Sequence, residues 1–121
     1  MKVLLVDDDP DIRRIGHLCL KSIGKFDVAI AASGTEGIEI ARKLVPDIIL
    51  LDMMMPVMDG VTTFKQLRSI DVLASVPVVF FTAKVQRDEI DALVALGAAG
   101  VIRKPFDPMT LATEVRAYIG R

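Results

Sequence analysis

At 121 residues the chain is near the commonest domain size and long enough to bury one core. Apolar residues make up 52% of it and mean hydropathy is +0.47, yet Asp, Pro or Gly breaks every apolar run well before the roughly 20 residues a bilayer span requires. A formal net charge of −1 makes no electrostatic case for nucleic acid, and a single cysteine, Cys19, excludes an internal disulfide.

Lys2 to Val6 reads as a short aliphatic strand. Asp7, Asp8 and Asp9 follow at once, too early and too acidic for a secretory signal, so a reducing cytoplasm is the expected compartment and no membrane contact is expected. Asp9 before Pro10 has the residue types of a helix N-cap and first position. Ile12, Ile15, Cys19 and Ile23 then recur at helical spacing, and Gly24 ends the helix. Phe26, Val28 and Ile30 alternate with Asp27, Ala29 and Ala31 as a less buried edge strand does.

Ser33 and Glu36 form a capping-box pattern ahead of a second helix, with Ile38, Ala41 and Leu44 or Val45 as its buried stripe and Pro46 as its stop. Ile48 to Leu51 is a solid apolar run, as a strand buried on both faces would be, and it stops abruptly at Asp52. Pro56 and Asp59-Gly60 turn the chain into a third helix over about residues 60–69, burying Phe64 and Leu67. Val76 to Phe81 is a further strand ending at Thr82. The fourth helix, about residues 86–96, buries Ile90, Leu93 and Val94, with Gly97 as its cap. Val101 and Ile102 form a last short strand ending at Lys104-Pro105. Asp107-Pro108 repeats the Asp-Pro helix start, ahead of Leu111, Val115, Tyr118 and Ile119.

Strand and helix therefore alternate five times, which implies an α/β fold with a parallel sheet between two layers of helices. With no linker or low-complexity stretch, one three-layer domain is expected over residues 1–121. In open parallel sheets ligands bind at the carboxyl ends of the strands. Four strands end there in polar residues: Asp7 and Asp8, Asp52, Thr82, and Lys104. Asp52 alone is either a solvated strand end or a reactive group. The set supplies three carboxylates, a hydroxyl and an ammonium, which suits a phosphoryl group and a divalent metal. Neighbouring carboxylates repel one another, and a hard cation with oxygen ligands such as Mg²⁺ relieves that repulsion. Asp52 is then placed to attack phosphorus as a carboxylate nucleophile, with Thr82 and Lys104 at the phosphoryl oxygens.

Over about residues 2–119 the chain resembles the receiver domain of two-component response regulators. The marks are Val-Asp-Asp at 6–8, Leu-Leu-Asp-Met-Met-Met-Pro at 50–56, Asp59-Gly60, Phe81-Thr82-Ala83 and Lys104-Pro105-Phe106. The resemblance implies a flavodoxin-like (βα)5 sandwich of strand order 2-1-3-4-5, and it implies that Asp52 is phosphorylated by a phosphohistidine on a sensor histidine kinase or histidine phosphotransfer protein. By position, Asp8 and Asp52 would bind Mg²⁺ (or Mn²⁺ in its place) directly, with the backbone carbonyl of Met54, and Asp7 through a water. Thr82 would be the switch hydroxyl, Lys104 the phosphate partner, and Lys104-Pro105 a cis bond. Such a domain is a switch and not a turnover enzyme. No output domain follows Arg121, so the expectation is a stand-alone regulator or a piece of a longer chain, acting on an unassigned output partner. Receivers often pair through about residues 86–119, where Arg103 and Arg116 are the obvious charged candidates.

Two departures stand out. Many receivers carry an aromatic residue three positions before the lysine, and here it is Val101. Valine has no ring to swing, so the aromatic half of that switch is absent. Met54 cannot hydrogen-bond a hydrolytic water and Lys84 is expected across the same opening, which predicts slow dephosphorylation. The rival readings are a phosphorylation-independent interaction module on the same fold, an aspartyl-phosphate hydrolase, and a dinucleotide-binding domain. The hydrolase would want a carboxylate at position 54, where the chain has Met; the dinucleotide fold would want a Gly-rich loop after the first strand. A soft-metal site among Met53, Met54, Met55 and Met58 conflicts with the carboxylates beside it; loop packing is the expectation for these methionines. Cys19 is expected in the core and His17 at its boundary.

Overall fold

A computed structural model describes residues 1–83 and 86–119. Five strands, β1 (Lys2–Val6), β2 (Asp27–Ala31), β3 (Ile48–Asp52), β4 (Val78–Thr82) and β5 (Gly100–Arg103), form one parallel sheet of order β2-β1-β3-β4-β5. The helices between and after them are α1 (Pro10–Ser22), α2 (Gly34–Leu44), α3 (Gly60–Arg68), α4 (Arg87–Ala95) and α5 (Leu111–Tyr118). The parallel sheet is as the alternation predicts, and its strand order is the flavodoxin-like one that the receiver resemblance implies.

Side chains alternate across a strand, so each strand feeds two cores. Leu4, Val6, Ile49, Leu51, Val78 and Phe80 face α2, α3 and α4, where Ala41, Phe64, Leu67 and Leu93 pack on them. Val3, Leu5, Ile48, Leu50, Val79, Phe81 and Ile102 face α1 and α5, meeting Cys19, Leu20, Leu111 and Val115. The three central strands are buried on both faces, which explains their unbroken apolar runs. At the sheet edge, Ile30 on β2 is exposed.

Caps set most of the boundaries. Asp9 accepts from the Asp11 N–H at 2.8 Å and Pro10 opens α1, as expected. Ser33 accepts from the Glu36 N–H at 3.1 Å, while Glu36 reaches back to the Ala32 N–H at 3.3 Å. Arg116 donates to the Gly24 carbonyl at 2.6 Å and lies 4.7 Å over the Phe26 ring. It ties α5 to the α1–β2 turn, so its charge is engaged within the fold.

Four expectations need correcting. The buried face of α1 is Gly16, Cys19 and Leu20, and Ile15 and Ile23 are exposed. A Cβ at Gly16 would come within 2.7 Å of Leu5, so the helix backbone itself rests on the sheet there. Val45 is exposed and left-handed at φ 45°, as the C-cap of α2, leaving Leu44 to the stripe. On α4 only Leu93 is buried; Val94 is exposed. Helix α5 starts at Leu111 because Asp107 first accepts from the Met109 N–H at 2.8 Å, closing a local turn before the helix.

Candidate functional site

Parallel pairing brings the four strand ends to one edge. The register sets Asp52 beside Phe81 and Thr82 beside Arg103. One further ladder bond, Lys104 N–H to the Thr82 carbonyl at 2.9 Å, carries the alignment past the end of β5. The Lys104-Pro105 bond is cis, as expected. Phe106 then stacks on Phe81 at 5.8 Å between ring centroids and anchors the loop after the lysine in the core.

Asp7, Asp8, Asp52, Met54, Thr82 and Lys104 all line one cleft of about 280 Å³. Asp7 is fully buried and Asp52 is 4% exposed, whereas Asp8 stands open to solvent. The three carboxylates offer one oxygen each within 4.8 Å of one another. Lys104 Nζ bridges two of them, 2.7 Å from Asp7 Oδ2 and 3.1 Å from Asp52 Oδ1. Asp52 Oδ1 also accepts from the Met54 N–H at 3.3 Å. Asp7 Oδ1 takes the Asp9 N–H at 2.9 Å, and Arg13 holds the Asp7 carbonyl at 2.8 Å, which pins the β1–α1 turn.

Among the described residues, three carboxylates meet one ammonium, which leaves surplus negative charge in this cluster. Burial, and then the charge of Asp7, push Asp52 from its ordinary 3.8 up to about 6, despite the hydrogen bond and charge of Lys104 and the Met54 N–H pulling the other way. Lys104 responds in the complementary sense. Burial draws its pKa down, but the hydrogen bonds and charges of Asp7 and Asp52 outweigh that and raise it above 10.5. The donor set is all oxygen, and buried Asp7 Oδ2 has Lys104 Nζ at 2.7 Å as its described partner, which leaves that oxygen a second lone pair. Hard oxygens, surplus charge and a remaining lone pair fit a small divalent cation.

Two contributors enter the sequence reading only as a turn signal and as one mark of the receiver resemblance, with no role assigned to either. Asp59 caps α3 through the Thr62 N–H at 2.8 Å, and that bond holds its carboxyl below the ordinary range. Gly60 lies so close to the end of β3 that a Cβ there would sit 2.4 Å from the Asp52 carbonyl oxygen. The Asp59-Gly60 pair was the visible signal; the contact behind it was not. Of the loop methionines, Met55 is buried, Met53 and Met58 are half-buried, and Met54 projects into solvent. Val101 packs partly buried against the α2–α3–α4 core. Cys19 is buried and His17 lies at the boundary, as expected. Lys84 falls outside the described residues. Among the described residues, no helix is long and apolar enough to cross a membrane.

A family model described as "Response regulator receiver domain" matches residues 3–116. The chain is 37% identical over 122 residues to the DNA-binding response regulator MtrA of Mycolicibacterium smegmatis, covering 99% of this chain and 51% of that protein. It is 37% identical over 121 residues to the DNA-binding dual master transcriptional regulator RpaA of Synechocystis, covering 99% and 49%. The chain thus spans about half the length of these curated relatives. Among solved structures, the chemotaxis response regulator CheY4 of Vibrio cholerae superposes with a TM-score of 0.91 at 33% identity, over 98% of both chains. A protein from Chloroflexus aurantiacus gives 0.89 at 31%, over 99% and 98%.

Proposed function

The chain belongs to the response regulator receiver domain family, and on that premise we propose that it is a phosphorylation-dependent signalling switch whose phosphoacceptor is Asp52. The observation that carries the reading is a nearly buried carboxylate at the floor of a cleft, paired with one ammonium and crowded by two further carboxylates. Asp52 Oδ1 is occupied by Lys104 and the Met54 N–H. Oδ2, to which no described residue hydrogen-bonds, is the oxygen left to attack. The donor is a phosphohistidine on a sensor kinase or phosphotransfer protein. As the new O–P bond forms, the N–P bond breaks and its electron pair stays on the imidazole.

Asp8 and Asp52, with the Met54 carbonyl, would hold Mg²⁺ or Mn²⁺, and Asp7 would act through a water. The cation neutralises charge at the phosphoryl oxygens when bound. This chain's own residues do the rest. Lys104 is fixed by its bond to the Thr82 carbonyl and by two carboxylates, so its ammonium is already aimed where the phosphoryl charge arrives. Thr82, buried at the end of β4, is the hydroxyl that turns toward a phosphoryl oxygen. That turn, in place of a ring swing at Val101, changes the contacts made with an output partner or output domain. The domain is a switch that processes its own phosphoryl group and not a turnover enzyme, and the cytoplasm is its proposed compartment.

The test is intact mass after incubation with acetyl phosphate, with and without Mg²⁺, for the wild type and Asp52→Asn. One added phosphoryl group that needs both Mg²⁺ and Asp52 is the expected result. No gain in the folded wild type would overturn the reading in favour of a phosphorylation-independent interaction module.

A further inference from the structure

Four methionines crowd into residues 53–58, and the fold treats them differently. Met55 is 7% exposed inside the core, Met53 and Met58 are half-buried, and Met54 is 68% exposed. Met54 also lines two neighbouring cavities. One is the carboxylate cleft; the other is an apolar groove of about 360 Å³ walled by Met53 and Val61 on one side and Leu93 and Leu96 on the other. Met54 is therefore largely open to solvent while forming part of the wall around Asp52.

We propose that Met54 is a site of reversible oxidation to the sulfoxide, and that its oxidation state sets how long a phosphoryl group stays on Asp52. This rests on the phosphoacceptor reading above. With hydrogen peroxide as the oxidant, the sulfur lone pair attacks one peroxide oxygen. An S–O bond forms, the O–O bond breaks, and the proton on the transferred oxygen leaves with hydroxide as water. The sulfur loses two electrons and the peroxide gains them.

The change matters because of where it happens. A thioether is a weak acceptor and offers a water molecule little. A sulfoxide oxygen is polar and accepts readily. Two residues beyond Asp52, on the wall of the same cleft, it holds a water beside the phosphorus. The other oxidisable groups lack that combination. Cys19 is 6% exposed, and burial pushes its thiol up, away from the reactive thiolate. Met1 and Met109 are as exposed as Met54, at 63% and 71%, but line neither cavity. Their oxidation leaves Asp52 untouched.

The experiment compares wild type, Met54→Leu and Met109→Leu, each with and without hydrogen peroxide treatment. Each sample is then loaded with acetyl phosphate and Mg²⁺ and freed of reagent. Peptide mapping locates the added oxygens and intact mass follows loss of the phosphoryl group. Met54, Met1 and Met109 should oxidise together while Met55 does not, which also shows the core intact. Phosphoryl loss should accelerate about fivefold in oxidised wild type, the rate equivalent of one ordinary net hydrogen bond to water. Met109→Leu should match the wild type, Met54→Leu should not respond, and methionine sulfoxide reductases should restore the original lifetime. Equal decay before and after oxidation, or the same acceleration in Met54→Leu, would overturn the proposal alone. No uptake by untreated wild type would remove the phosphoacceptor reading and this proposal with it.

Discussion

Replacing Asp52 with Asn should stabilise the folded domain at neutral pH, by an amount the cleft itself sets. The amide oxygen can still accept from the Met54 N–H and Lys104, so the substitution chiefly deletes a charge. In the folded protein the Asp52 carboxyl sits at about 6 against an ordinary 3.8. Because the folded value is the higher one, its contribution to stability is fully present below pH 3.8 and is lost as the pH rises through about 6. Moving a carboxyl between those values corresponds to about 3 kcal/mol at most. The cleft opens to water at Asp8, and solvent screening reduces this to about 1–2 kcal/mol. Urea unfolding of both proteins from about pH 4 to about pH 8 measures the difference directly. The variant should exceed the wild type by about 1–2 kcal/mol at the upper end, and the gap should close toward pH 4. Saturating Mg²⁺ should narrow the gap at high pH by stabilising the wild type more. A variant less stable than wild type at neutral pH, or a gap that ignores pH, would refute the charge-crowding account.

Gly60→Ala should be among the most damaging small substitutions, since its Cβ would meet the Asp52 carbonyl oxygen and the Met53 Cα, both of them backbone. A loss of about 2–3 kcal/mol in urea, with weaker Mg²⁺ binding, is expected, and an alanine variant as stable as wild type would show that the close approach is not real. Arg68→Met should cost about 1–3 kcal/mol. Its guanidinium satisfies the Leu73 and Val76 carbonyls at 3.1 and 2.7 Å while lying 4.8 Å over the Phe64 ring; unchanged thermal unfolding would place those carbonyls in water. Met54→Asn should shorten the phosphoryl lifetime, because a polar side chain at that exposed position can hold a hydrolytic water. A short wild-type lifetime left unchanged by the substitution would count against the shielding role of Met54.

What the sequence made legible follows from what its signals encode. Solid apolar runs at Ile48–Leu51 and Val78–Phe81 report burial on both faces, and the position of Asp52 and Thr82 at their ends follows from parallel topology alone. Lys104 reaches the same edge by one ladder bond past β5, again a consequence of register. Helix faces were read less well. Periodicity assumes that the largest apolar side chains mark the buried stripe, but α1 docks through Gly16, where Leu5 occupies the place of a side chain. Ile15 and Ile23 are turned outward as a result. The late start of α5 escaped notice for a different reason: Asp107 and Pro108 carry the same residue types as Asp9 and Pro10, and only the Asp107–Met109 turn distinguishes them. Asp59-Gly60 signals a turn, but the approach of Gly60 to the Asp52 carbonyl is set by the path of the loop between them and has no signature of its own.

The single buried residue of α4 has a consequence for how cheaply this domain can change shape. Helices held by several buried side chains detach only when much of the core goes with them. Helix α4 has Leu93 alone, and withdrawing one leucine costs about 2–3 kcal/mol. That is comparable to one or two charge-assisted hydrogen bonds, the scale of what a phosphoryl group would exchange with Thr82 and Lys104 under the proposed function. The domain thus concentrates its softness in one element of the outer layer while the sheet beneath stays closed on both faces. Amide exchange along α4 should report opening events far below the free energy of global unfolding.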